Sequence, residues 1–366
     1  MRALQTTLPA QPKRIILINP TRYLGNLLIA GGLIQDFAHY CSSHGIEFRL
    51  VVDDMYADLL TGAFDKKTLI LYPRRRIAKA GFVQKCRLYL QCLRGLRRLK
   101  ADLAFNIEDD SVSHRLTQFS GAAFKLGCSP QRHRWGYQRV LPIAFAERPA
   151  GKEHRWYSFQ EVFTALGLPQ GKPHYLKLQP PALSATLKQR LQQCGVDFSS
   201  NLAVLHTGAT KYYKLWPHVN FAALALRLQQ AGYQVVLMGA GKDARDIEAT
   251  LAILPESART HIVNLCNQLS LAELAGFLAA HASLMVGNDS GPFHLAAALG
   301  VPGVVVFGPT EASLWGPIAD NAILLQDRSV CSADCSRKHC RHNYRCLPAI
   351  TPDHVMAALE KLQPAK

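Results

Sequence analysis

The chain has 366 residues, 48% of them hydrophobic and 19% charged, which is enough apolar material for two cores and too much for a disordered chain or a coiled coil. Lys and Arg number 42 against 26 Asp and Glu, a formal net charge of +16, so a polyanionic partner is favoured: nucleic acid, an anionic membrane or a phosphorylated substrate. No stretch reaches the roughly 18–20 uninterrupted apolar residues of a membrane span, and the start of the chain lacks the apolar core of a signal peptide. A cytoplasmic location is expected, and with it reduced thiols for the ten cysteines.

The first strand signal is 15–18, short, continuous and β-branched, as in a strand buried on both faces of a parallel sheet. A loop follows, then a helical pattern over 26–44. Next come a strand at 47–52, a helix at 54–60, a strand at 68–72, a helix at 82–99 and a strand at 103–107. Strands alternating with helices at this spacing mean βαβ units. The stretch 167–181 is rich in Gly and Pro and reads as a connection between domains. A second alternating series then places strands at 202–206, 234–238, 261–265, 284–286 and 303–307. Its helices start near Trp216, Lys242, Ser270 and Gly291, and an amphipathic helix closes the chain at 352–362. The expected fold is therefore α/β with two Rossmann-like halves, 1–180 and 181–350, plus a terminal helix in 351–366 that could pack back on the N-terminal half. A cleft between the halves is the default ligand site.

Chemistry concentrates in the second half. The segment 286–310 reads VGNDSGPFHLAAALGVPGVVVFGPT. A strand ends, a polar glycine-containing turn opens a small-residue helix, and another strand follows. Asp289, Ser290 and Gly291 would place backbone N–H groups and a helix N-terminus at the sheet edge, where a phosphate binds well. His294 lies one turn further in. The bland alternative is a capped helix with a satisfied histidine. In the segment 206–217, HTGATKYYKLWP, Lys214 stands just before Trp216 and Pro217, where it can neutralise charge on a departing group or be an ordinary loop lysine. Asp243, with Asp246 as the alternative, opens a helix after a glycine turn, where a carboxylate can accept ribose hydroxyls or merely favour the helix dipole.

These two segments together resemble the signature of the ADP-heptose:lipopolysaccharide heptosyltransferases, glycosyltransferase family 9. The match runs through Gly287, Asp289, Ser290, Gly291, His294–Ala298, Leu299, Gly300, Pro302 and Phe307–Thr310, and continues at Trp315–Pro317 and over 206–217. The resemblance implies a GT-B fold, two Rossmann-like domains facing each other across a central cleft. It implies an inverting glycosyltransferase that moves a heptose from ADP-heptose to the lipopolysaccharide core. The donor would be held by Thr207, Gly208, Lys214, Asp243, Leu269 (against adenine), Asp289, Ser290, Gly291 and His294. No cofactor is expected, and no D-x-D motif for a catalytic metal is present.

Three features depart from that pattern or add to it. Where the family has an Asp that acts as general base, this chain has Asn26, and an amide has no useful basicity near pH 7. Glu108, Asp109 and Asp110 follow the 103–107 strand and are the candidate replacement, or else a cap for the next helix. From 66 to 101 there are twelve Lys or Arg and no Asp or Glu. Arg74, Arg75 and Arg76 in this run, and a second basic group with Lys125, Arg132, Arg134, Arg139, Lys152 and Arg155, could hold an acceptor bearing carboxylates and phosphates, and the anionic inner face of the inner membrane. Finally, Cys331, Cys335, Cys340 and Cys346, with His339 and His342 among them, either bind a structural metal or pack as thiols. The rival readings are a GT-B transferase with another sugar nucleotide, a catalytically weak or non-catalytic relative suggested by Asn26, and a nucleic-acid binder. The last has charge in its favour but no recognisable motif.

Overall fold

In the computed structural model, residues 12–108, 110–128, 135–141, 154–331, 335 and 340–362 are described. Two compact units divide the chain, the first ending at Gln179 and the second beginning at Pro180.

Unit one holds a six-stranded sheet: β1 Arg14–Ile18, β2 Glu47–Asp53, β3 Leu69–Tyr72, β4 Leu103–Asn106, β5 Phe124–Gly127 and β6 Arg139–Val140, ordered 3-2-1-4-5-6. Unit two repeats that plan with β7 Leu202–His206, β8 Gln234–Leu237, β9 Val263–Asn264, β10 Ala282–Asn288, β11 Gly303–Phe307 and β12 Ala322–Gln326, ordered 12-11-10-7-8-9. Every pairing is parallel. In such a sheet the strand order reverses at one place, between β1 and β4 in unit one and between β7 and β10 in unit two. The crevice beyond the strand ends at that reversal is where ligands bind.

The central strands were legible because burial on both faces demands continuous apolar runs: Ile15–Ile18, Val204 and Leu205, and Val304–Phe307 are all buried. Strands β5, β6 and β12, at or next to a sheet edge, escaped the pattern. They are short or half-buried, with Lys125, Arg139 and Gln326 among them. The 261–265 strand shrinks to two residues, and the Arg74–Lys79 segment is helical.

Unit one packs Phe37 of the helix Leu24–Ser43 against Phe105 and Phe163, at ring separations of 5.8 and 5.3 Å. Unit two centres on Trp216, which is fully buried, stacks edge-on against Phe221 at 4.8 Å and donates its indole N–H to the Ile350 carbonyl at 2.7 Å. The terminal helix Pro352–Lys361 is an integral part of unit two. Val355 and Ala358 complete that unit's core, the helix packs on the helix His218–Gln230 and on β11, and Arg227 pairs with Asp353.

The helix Leu271–His281 passes close to the chain that enters unit two. A Cβ on Gly276 would lie 2.3 Å from the Pro181 carbonyl oxygen. Backbone must move to admit it, so strain outweighs the helix propensity gained from alanine. Gly276→Ala is expected to destabilise the protein by about 1–3 kcal/mol, read as a lowered urea midpoint with an unchanged slope.

Candidate active site

In unit two, the loops after β7, β8 and β10 converge through side chains that the apolar pattern could not order. Asn288, the last residue of β10, is fully buried. Its Oδ1 accepts the Trp216 N–H at 2.8 Å, and its Nδ2 donates to the carbonyls of Thr207 at 3.0 Å and Gly208 at 3.1 Å. The two ends of the loop after β7, which bears Lys214, are thus tied to one residue. From that position the Lys214 Nζ reaches the Asp289 Oδ2 at 2.6 Å, a partly buried pair.

Ser290 precedes the helix Gly291–Ala298 but does not cap it with its side chain. Its hydroxyl instead meets the Nδ1 of buried His206 at 3.1 Å, and the His206 Nε2 faces the Asp243 Oδ2 at 3.5 Å. The first turn of the helix carries no acidic residue, so its N–H groups, with Lys214 beside them, form a place for an anion. Asp243 also accepts the Ala240 N–H at 3.1 Å. Desolvation pushes its carboxyl up, but the hydrogen bond and charge of His206, the Ala240 N–H and the Lys242 charge together outweigh it and hold the group below the usual range. Asp243 therefore organises the loops. A Cβ on Gly208 would lie 2.4 Å from its Oδ1, so only glycine fits there. Thr207 is fully buried, and His294 is buried one turn into its helix. Leu269 is half-buried just before the Ser270–Glu273 capping box, while Asp246 faces His218 at 3.6 Å.

In unit one, Asn26 lies in the first turn of the helix Leu24–Ser43 and donates its Nδ2 to the Glu108 Oε1 at 3.3 Å. The two belong to the β1 and β4 ends, on either side of the strand-order reversal. Desolvation pushes the Glu108 carboxyl up to about 7, and the Asp110 charge adds to the rise. The hydrogen bonds from Asn26 and Thr21 and the Arg155 guanidinium oppose it. Asp110 is a helix cap: its carboxylate accepts the N–H groups of Val112 at 2.7 Å and Ser113 at 3.1 Å. Asp109 lies outside the described residues, as do Arg132, Arg134, Lys152 and His339.

Arg74 is committed to buried Asp53 and to the Pro20 carbonyl, which leaves Arg75 and Arg76 as the exposed members of the run. The Cys335 thiol lies within hydrogen-bond reach of Cys331 and Cys340, and the Cys340 Sγ accepts the Tyr344 N–H at 3.3 Å. Among the described residues, no group of three or more ligating side chains is arranged to hold a metal. Asn288 and His206 were missed by sequence reasoning, and Arg155 was read only as one of an acceptor-binding basic group, not as a neighbour of Glu108. The signal for the first two was available: each is a polar residue ending an otherwise apolar buried strand.

Residues 89–345 match the family model described as glycosyltransferase family 9 (heptosyltransferase). The chain belongs to that family. It is similar to lipopolysaccharide heptosyltransferase 3 of Escherichia coli, at 27% identity over 287 residues, covering 78% of this chain and 82% of the relative. In fold it resembles a family 9 glycosyl transferase from Veillonella parvula, with a TM-score of 0.75, 20% identity and 98% of both chains covered. It likewise resembles E. coli heptosyltransferase WaaC with ADP-2-deoxy-2-fluoro heptose, with a TM-score of 0.64, 21% identity, and 95% and 99% covered. The family 9 protein is thus a GT-B glycosyltransferase, as the 206–217 and 286–310 segments implied.

Glu108 gives this family member a measurable signature. Its folded pKa is raised, so between about pH 4.5 and 7 the unfolded chain releases the proton first and stability falls as pH rises. Glu108→Gln is expected to add about 1–3 kcal/mol of stability above pH 7 and nothing at pH 4, measured by urea unfolding at both values.

Proposed function

We propose that the protein is an inverting heptosyltransferase that moves a heptose from ADP-heptose to a hydroxyl of the lipopolysaccharide core, on the inner face of the inner membrane. Unit two would hold the nucleotide sugar and unit one the acceptor. The observation that carries the reading is the Lys214–Asp289 pair beside the open N-terminus of the helix Gly291–Ala298. A diphosphate accepts helix N–H groups, and Lys214 neutralises the charge that grows as it leaves. Asp289 orients Lys214, and Ser290 and Gly291 face the same anion. Leu269 lies against the adenine. The co-crystallised nucleotide-sugar analogue of the WaaC relative supports the choice of donor.

In the transfer step, the acceptor oxygen bonds to the anomeric carbon while the carbon–oxygen bond to the diphosphate breaks, and ADP leaves with the electron pair. The acceptor proton goes to Glu108. A carboxyl pushed up to about 7 is well matched to that task near neutral pH. Asn26 cannot take the proton, but its amide donates to Glu108 and holds the carboxylate in place. The base thus sits across the β1–β4 crevice from the position at which the family pattern carries it. Arg75 and Arg76 would meet the acceptor's anionic groups. The scheme needs no cofactor.

The test is transfer from ADP-heptose to lipopolysaccharide lacking the acceptor's heptose, with ADP and UDP compared as thermal stabilisers. ADP is expected to raise Tm and UDP not; stabilisation by UDP alone would shift the reading to another sugar nucleotide. Lys214→Ala should lower kcat about 10²–10³-fold. Glu108→Gln should lower it about 10²–10⁴-fold and abolish the rise of kcat/KM with pH through about 7. Full activity in either variant removes that residue from the mechanism. Asn26 supports one other reading, a weakened relative. In that case the natural chain would bind ADP without turnover, and Asn26→Asp would gain activity.

A further inference from the structure

The helix Phe82–Arg98 presents two faces. Leu88, Leu93 and Leu96 are buried against unit one. At about 100° per residue, Val83, Arg87, Leu90, Arg94 and Arg98 fall together on the opposite side, turned to solvent. Phe82 and Val83, at 82% and 80% exposure, are the barest large apolar side chains among the described residues, and Leu90 is 49% exposed. They follow the Gly81 turn that links this helix to Arg74–Lys79, which packs beside it and exposes Arg75, Arg76 and Lys79. Two bare apolar side chains therefore project from the tip of a helical hairpin, within a run of twelve cations and no acid.

Charge alone would suit any polyanion. The apolar tip discriminates. A nucleic-acid duplex or a phosphorylated sugar has nothing to cover Phe82 and Val83. A second copy of a chain with net charge +16 would bring like charges together. An anionic bilayer matches both features, with headgroup phosphates for the Lys and Arg side chains and the acyl boundary for the apolar pair. Among the described residues no helix is long and apolar enough to cross a membrane, so the contact would be interfacial.

We propose that the 74–98 helical hairpin docks on an anionic lipid surface, with Phe82 and Val83 entering the acyl boundary and the surrounding Lys and Arg side chains on the headgroups. The proposal deepens the transferase reading, on which it rests for the lipid-linked nature of the acceptor.

Co-sedimentation of the full-length chain with phosphatidylglycerol-containing vesicles and with phosphatidylcholine vesicles tests it, without any substrate present. Binding is expected only with phosphatidylglycerol, weakening as salt rises. Phe82→Ser with Val83→Ser should weaken it about ten-fold or more, and Lys79→Glu with Lys85→Glu and Arg87→Glu should abolish it. Unchanged Tm and ADP binding would show that the variants are folded. The proposal is overturned by absent binding to anionic vesicles, by equal binding to both lipids, or by serine variants that bind as the parent does. It is also overturned if the parent dimerises through this tip, or if a short duplex competes fully with vesicles. Failure of ADP to bind would instead count against the transferase reading and leave the vesicle result intact.

Discussion

Parallel pairing makes the strands of each sheet end at the same edge, and the reversal of strand order opens one crevice there. This constraint determines what the sequence can use for chemistry. In unit two, β7 and β10 deliver His206 and Asn288 to the crevice. In unit one, β1 and β4 deliver the Asn26 helix and Glu108. A polar residue at the end of such a strand is desolvated on the sheet side and open on the other. It must be hydrogen-bonded or it destabilises the fold.

Asn288 answers that demand with three backbone partners. It holds the two ends of the loop after β7 at a fixed distance, and Lys214 inherits its position from that loop through Trp216. The indole anchors the same loop from beneath, with its N–H on the Ile350 carbonyl. The terminal segment that supplies Ile350, Val355 and Ala358 to the core therefore belongs structurally to the site. His206 plays the parallel part between Ser290 and Asp243. It is a positioning residue, and it takes Ser290's hydroxyl away from capping the helix. The N-terminus of the helix is left without a side-chain cap because the Ser290 hydroxyl is occupied elsewhere.

Unit one solves a different problem. Glu108 is desolvated beside a carboxylate neighbour and is held by an amide, a hydroxyl and a nearby guanidinium rather than by a full ion pair. Full pairing would lower its pKa and remove its basicity. The arrangement costs stability, and it leaves the carboxyl suited to the proton-accepting role proposed for it, as functional carboxyls commonly are. Asp110, two residues on, shows the contrasting outcome: two backbone N–H groups make it a cap. The three consecutive arginines divide in the same way, since Arg74 is spent on Asp53 and Pro20 while its neighbours Arg75 and Arg76 stay exposed.

By itself the sequence determined the two alternating α/β halves, the buried central strands and the segments 206–217 and 286–310, because burial and turn chemistry are written locally. It could not rank Glu108 against Asp110, since both are acids after one strand, and only the packing of Asn26, Thr21 and Arg155 separates them. It could not tell Arg74 from Arg75, because the partner Asp53 lies on another strand. It suggested that the terminal helix could pack back on the N-terminal half, whereas the Val355 and Ala358 contacts place it in the second core. The short strands β5, β6 and β12 escaped as well, because at or next to a sheet edge the demand for apolar side chains relaxes. Tertiary structure decided these points for one reason: each depends on which groups from distant parts of the chain meet, and desolvation and hydrogen bonding act only once they have met.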